Sequence, residues 1–245
     1  MIEQLRQRLQ ALQRTAGLED GLRPLPFGIA SVDAALGGGL ARGTLHEIAA
    51  PSEAHLAAAT GFVLGLAARG QPRVCWIAED MALAESGAPY GPGLDQFNLA
   101  PERLLTVGVA HRRDLLWAME EALRCRATAA VIGELRHGDI DAVAVRRLSL
   151  AAAESGALAL LLRAKPASDA STAATRWIVG AAPSLPARGF EFGPPRFVAQ
   201  LVRNRRGPVG SWILEWSDID ERFVLATHSQ PVAAPARDRP HRQVA

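Results

Sequence analysis

Lysine is almost absent from this chain. Of 27 basic residues only Lys165 is a lysine; it stands in Ala-Lys-Pro, and no Gly-Lys pair occurs anywhere. That excludes the usual phosphate-binding loop, Gly-x-x-x-x-Gly-Lys-Thr, whose lysine places a charge on the β and γ phosphates and whose hydroxyl holds magnesium. Cysteine is scarce too. Cys75 and Cys125 lie far apart in sequence and in apolar surroundings, which excludes a disulfide framework and reads as reduced core thiols in a cytoplasmic protein. Aromatic residues make up 5% of a chain that is 49% hydrophobic, so the expected core is built from Ala, Leu, Val and Ile. Arg, Glu, Gly or Pro interrupts every apolar run before it could span a bilayer, and the first residues lack the apolar stretch of a secretory signal. His46-Glu47 lacks the second histidine of a zinc-protease helix, neither cysteine has a metal-ligand neighbour, and no Gly-x-Ser-x-Gly nucleophile elbow is present. Nothing here makes a positive case for an enzyme, a metal or a cofactor.

What the chain does have is alternation. Its 245 residues suit one large α/β domain with ample core. Strands are expected at 44–49, 73–79, 104–109, 129–134 and 157–162, with helices at 54–69, 114–125 and 139–155, the last capped by Asp139. That order predicts a mostly parallel sheet with helices on both faces. Beyond Arg163 the strands at 176–180, 196–203 and 211–216 have no helix between them, which predicts an antiparallel C-terminal extension. Residues 1–14 read as an amphipathic helix, with Ile2, Leu5, Leu9 and Leu12 on one face, and helix and linker together make up residues 1–22. Residues 23–230 form the domain, and residues 231–245, rich in Pro, Ala and Arg, are expected to be disordered. The net charge of +2 is unevenly spread: residues 196–245 carry eight Arg against five acidic groups, so a nucleic-acid or acidic partner is expected there if anywhere.

One segment carries most of the functional information. Residues 29–40 run Ile-Ala-Ser-Val-Asp-Ala-Ala-Leu-Gly-Gly-Gly-Leu and lead through Thr44 into the first strand. Where a phosphate loop should follow stand Ala50, Pro51, Ser52, Glu53, Ala54, His55, Leu56 and Ala57. Leucine replaces the lysine, alanine replaces the hydroxyl, and Glu53 adds negative charge. Losing one electrostatic stabiliser typically costs about 10²–10³ in rate, and several are missing, so ATP hydrolysis is not expected.

The element order, this segment and the damaged loop, with Thr175-Arg-Trp-Ile-Val179 and residues 201–216 (Leu-Val-Arg-Asn-Arg-Arg-Gly-Pro-Val-Gly-Ser-Trp-Ile-Leu-Glu-Trp), resemble the ImuA family of RecA-like accessory proteins across residues 23–228. The resemblance implies a RecA-like core without a working ATPase and a role in translesion DNA synthesis under the SOS response. It also implies three partners: the polymerase-related protein ImuB, RecA, and an error-prone replicative-type polymerase. A SulA-like inhibitor of cell division, also damage-induced with a degenerate RecA-like core, is the alternative, and a nucleotide sensor that binds without hydrolysis is a third.

Each candidate site has a plainer explanation beside it. Glu79, Asp80 and Glu134 end strands where a RecA-type ATPase would polarise water or hold magnesium; equally, they could cap helices or lie at a polar sheet edge. Arg136, His137, Arg163 and Lys165 fall where RecA's DNA-binding loops would lie, and solvated loop charge explains them as well. Arg196, Arg203, Arg205 and Arg206 with Trp212 and Trp216 form the best basic cluster. It would serve for DNA contact with a stacking tryptophan, for a protein surface, or with the tryptophans on the core face of a strand.

Overall fold

The computed structural model describes residues 22–69, 73–125, 127–166, 171–184 and 193–226. The expected N-terminal helix and the C-terminal tail lie outside them. Among the described residues a nine-stranded sheet runs in the order β3-β2-β4-β5-β1-β6-β7-β8-β9. The strands are β1 (Thr44–Ala49), β2 (Val74–Glu79), β3 (Leu104–Val109), β4 (Ala130–Leu135), β5 (Leu158–Arg163), β6 (Thr175–Ala181), β7 (Arg196–Asn204), β8 (Gly210–Ser217) and β9 (Arg222–Leu225). The first six pair in parallel and the last three join antiparallel. The expected extension therefore begins one strand later than its sequence suggests. β6 pairs in parallel with β1, with His46 opposite Thr175.

The helices are α1 (Ala30–Leu36), α2 (Leu56–Ala68), α3 (Asp80–Ser86), α4 (Gly91–Asp95), α5 (Arg112–Arg124) and α6 (Ala142–Ser155). The sheet divides the interior into two cores. One face, covered by α5 and α6, is aliphatic: Leu45, Ile77, Leu115, Leu123, Val131, Leu148 and Leu161 pack there with Met119. The other face, covered by α2, is aromatic, contrary to the expectation from composition. Phe27, Phe62, Phe97, Trp177, Phe197, Trp216 and Phe223 form a continuous cluster with neighbouring ring centroids 5.0–6.5 Å apart.

The small residues of α2 make room for these rings. A Cβ on Gly61 would lie 2.8 Å from Phe97, and one on Gly65 would lie 2.7 Å from Phe223 and 2.9 Å from Trp216. Gly65→Ala should therefore destabilise the protein. Alanine gains about 1 kcal/mol of helix propensity, but overpacking costs about 1–3 kcal/mol. Urea denaturation followed by far-UV circular dichroism would read the net loss; a gain would mean that the rings shift freely.

The glycine-rich segment acts as a clasp. Val32 and Leu36 bury their side chains, while the Asp33 carboxylate accepts the Phe27 N–H at 2.6 Å and the Gly28 N–H at 2.9 Å. Gly37 then ends α1 in the left-handed conformation, and Gly39, at φ 133°, passes where a Cβ would meet the Leu25 carbonyl. Leu25 and Leu40 pair as an isolated antiparallel bridge, closing the clasp. The cap of α6 is Asp141, whose carboxylate accepts the Ala144 N–H at 2.7 Å; Asp139 is turned instead toward Arg163. Among the described residues no helix is long and apolar enough to cross a membrane.

Candidate functional site

The eight residues after β1 leave the sheet where a phosphate loop would. Ala50 is fully buried and donates its N–H to the Arg163 carbonyl at 3.0 Å. Ser52 is extended, Glu53–His55 make one 3₁₀ turn, and none of residues 50–57 has positive φ. A phosphate cradle depends on such backbone to aim successive N–H groups at oxygens. Leu56, in the lysine position, is buried in the aromatic-face core, and Ala57 is exposed. The His55 ring lies over Gly180, and its Nδ1 accepts the Ala181 N–H at 3.1 Å.

A cleft of about 590 Å³ opens beside this turn, lined by Glu53, Glu85, Glu134, Trp76 and Arg136 among others. Glu134 is buried at the end of β4 and fully engaged: Trp76 Nε1 donates to it at 3.1 Å and Arg136 Nε at 2.6 Å. Arg136 also donates to Ser86 at 2.7 Å. Glu134 is thus neutralised by protein groups at the place where a magnesium-binding carboxylate would have to remain available. Glu79 is the N-cap residue of α3 without making a side-chain cap bond, and Asp80 is exposed. Among the described residues no three His, Cys, Asp or Glu side chains gather into a metal site.

The structure separates the basic residues that the sequence grouped. Arg163 is buried and donates to the Gly138 carbonyl and to Asp139, each at 3.2 Å, while Lys165 is exposed. Arg196 is buried and paired with Glu215 at 2.6 Å across β7 and β8, which takes it away from any contact surface. Trp216 belongs to the core and donates Nε1 to the Gln96 carbonyl at 2.8 Å. Trp212 is half-buried, with its ring 6.0 Å from that of Trp177 and its Nε1 donating to Ser31 at 3.1 Å. Arg205 and Arg206 remain exposed, on the turn between β7 and β8, with half-buried Arg203 just before them.

Two groups had no signal in the sequence. Glu47 is buried on β1 and accepts hydrogen bonds from Ser171 and from Arg176 Nε, the latter at 2.8 Å. His46 beside it is wholly buried. Its Nδ1 lies 2.7 Å from Thr175 Oγ1, and its Nε2 lies 2.8 Å from the Ala41 carbonyl and 2.9 Å from Thr44 Oγ1. Burial, reinforced by Arg206, outweighs the Ala41 hydrogen bond and lowers the His46 pKa to about 4. The cysteines also divide. Cys75 is buried and its thiol is pushed up to about 11, first by burial and then by Cys125, whereas Cys125 follows α5 in an exposed position rather than in the core.

The fold is that of a RecA-type domain. Among solved structures the chain matches the RadB recombinase with a TM-score of 0.57 at 16% identity, over 81% of this chain and 98% of that one; the shared feature is the fold. No family model matches the sequence. Two proteins named Protein ImuA, from Caulobacter vibrioides strains NA1000 / CB15N and ATCC 19089 / CIP 103742 / CB 15, are each 30% identical to it. Each alignment spans 218 residues, 82% of this chain and 86% of the relative. The chain belongs to the ImuA family.

Proposed function

We propose that this protein is a non-catalytic, RecA-like accessory factor of error-prone lesion bypass in the DNA-damage response. It joins an ImuB-like, polymerase-related partner to RecA by surface contact, and an error-prone replicative-type polymerase works in the same assembly. One observation carries the reading. The RecA-like scaffold is kept, while the position that should present a cation to triphosphate is a buried leucine that opens α2 behind a turn without positive φ. Glu53 and Glu85 line the adjoining cleft and disfavour a polyphosphate further. Family membership supports the setting in lesion bypass.

The contact surfaces in this reading are residues 1–22 and the turn carrying Arg203, Arg205 and Arg206. Removing everything from residue 196 onward is not a usable test, because β7, β8 and β9 supply Phe197, Trp216 and Phe223 to the core. Two milder variants serve: deletion of residues 1–21, and Arg203→Ala/Arg205→Ala/Arg206→Ala. In pull-downs with the ImuB-like protein and with RecA, the wild type should bind both. At least one variant should lose about tenfold or more in affinity, about 1.4 kcal/mol. Failure of the wild type to bind either partner would sink the adaptor role. Purified protein should release no phosphate from ATP and magnesium above the blank. Turnover that Glu134→Gln abolishes would show that the site is catalytic after all.

A further inference from the structure

A second cavity, of about 630 Å³, lies at the opposite end of the sheet from residues 50–57, between α6, the start of β1 and the β7–β8 turn. Thr44, Ser149, Thr172, Asn204, Arg205 and Arg206 supply its polar lining, and no carboxylate is among the lining residues. Both clefts at the other end of the sheet contain several carboxylates. This cavity is therefore the one whose charge favours an anion.

Among the described residues its cations are uncommitted. Arg136, Arg163, Arg176 and Arg196 are each paired with a carboxylate. Arg205 and Arg206 are exposed, and among the described residues neither guanidinium has an ion-pair partner. The turn that carries them is pinned. The Asn204 side chain donates to the Ala35 carbonyl at 2.8 Å and to the Pro208 carbonyl at 3.0 Å, and it accepts the Arg206 N–H at 3.0 Å. The Arg205 N–H bonds the Ala174 carbonyl at 3.0 Å, and Gly207 sits so close to the Ala35 carbonyl that a Cβ would not fit. A fixed turn lowers the ordering cost of binding.

A donor is waiting as well. Thr172 Oγ1 is shielded from solvent and has no hydrogen-bond partner among the described residues. Buried hydroxyls are seldom left so, and this one belongs to a residue lining the cavity. The volume falls within the range of about 300–1,000 Å³ typical of small-molecule sites. Leu45, Ala153 and Ala174 give it an apolar wall.

We propose that this cavity binds a phosphorylated ligand of nucleotide size, with Arg205, Arg206 and Thr172 Oγ1 on the phosphate and the base or sugar against the apolar wall. Guanidinium forks match phosphate oxygens in pairs. A free nucleotide and a nucleotide within single-stranded DNA share this chemistry. The proposal does not depend on the adaptor role, since it concerns a ligand of the isolated protein.

The test titrates purified full-length protein with inorganic phosphate, a deoxynucleoside monophosphate and a short fluorescent single-stranded oligonucleotide, by calorimetry and anisotropy. Binding of the mononucleotide or the oligonucleotide is expected. Arg205→Ala/Arg206→Ala and, separately, Thr172→Val should each weaken it about tenfold, with unchanged circular dichroism. Thr172→Val should leave the pull-downs unaffected. Equal affinity for mononucleotide and oligonucleotide would identify a free nucleotide; tighter oligonucleotide binding that falls steeply with salt would identify a strand. Binding of none of the three, binding of inorganic phosphate alone, or binding that neither variant weakens would overturn the proposal.

Discussion

Trp216→Ala is expected to lower stability by about 3–5 kcal/mol, at the upper end for a single core truncation. The indole is 1% exposed, with ring centroids 5.3 Å from Phe97 and 5.0 Å from Phe223. Beneath it is Gly65, which has no side chain to move into the space, so the cavity cannot collapse from the helix side. The Gln96 carbonyl also loses its donor. Trp216→Phe should recover much of the packing but not that hydrogen bond. Equilibrium urea unfolding, with an unchanged denaturant slope, is the measurement. A loss below about 1 kcal/mol, typical of a surface site, would mean that the tryptophan is not a core residue. In the stacking role that its neighbouring arginines suggested from sequence, Trp216→Ala would have impaired DNA contact and left stability intact.

The second large effect is acid sensitivity centred on His46. Its pKa is about 4 in the folded protein against 6.5 for the free side chain. Between those values the unfolded chain takes up a proton that the folded chain refuses, so stability is full above pH 6.5 and declines as pH falls toward 4. The loss across that window is about 3 kcal/mol.

Burial is the chief cause of the refusal, and the hydrogen bonds around the ring suit its neutral form. Trp177 Nε1 donates to Thr175 Oγ1 at 2.9 Å, which lets the Thr175 hydroxyl donate to His46 Nδ1 while Nε2–H donates to the Ala41 carbonyl. This tautomer is inferred from the network, and it is satisfied by the neutral ring alone. Arg206 adds repulsion to any imidazolium. Thermal unfolding from pH 7.5 to 4.5 should show the decline, and His46→Gln should remove most of its slope in that range. A His46→Gln variant with the same slope as wild type would assign the acid sensitivity to other groups.

The parallel core was readable because each of its strands is a short apolar run set between helical segments, and every expected strand from 44 to 162 lies within one residue of its observed place. α1, α3, α4 and β9 were not readable. They hold 7, 7, 5 and 4 residues, too few for a periodic pattern, and depend on contacts made elsewhere in the chain. The expectation of a substituted loop rests on the sequence alone, because phosphate-loop chemistry depends on residue types at consecutive positions. Arg196 shows the opposite case: it reads as a surface cation, yet it is buried on Glu215. Its fate depends on the antiparallel register, which sets Glu215 opposite it.

The sequence by itself determined the alternating α/β order and the absence of a lysine from residues 50–57, since the first follows from local periodicity and the second from composition. Only the tertiary structure decided that few aromatic residues would dominate one core, that His46 and Glu47 would be buried, and that two arginines would share a cavity with an unpartnered threonine. Those outcomes arise from groups far apart in the chain, as with His46 and Thr175, or Glu47 and Arg176, whose meeting is set by sheet register rather than by any pattern along the sequence.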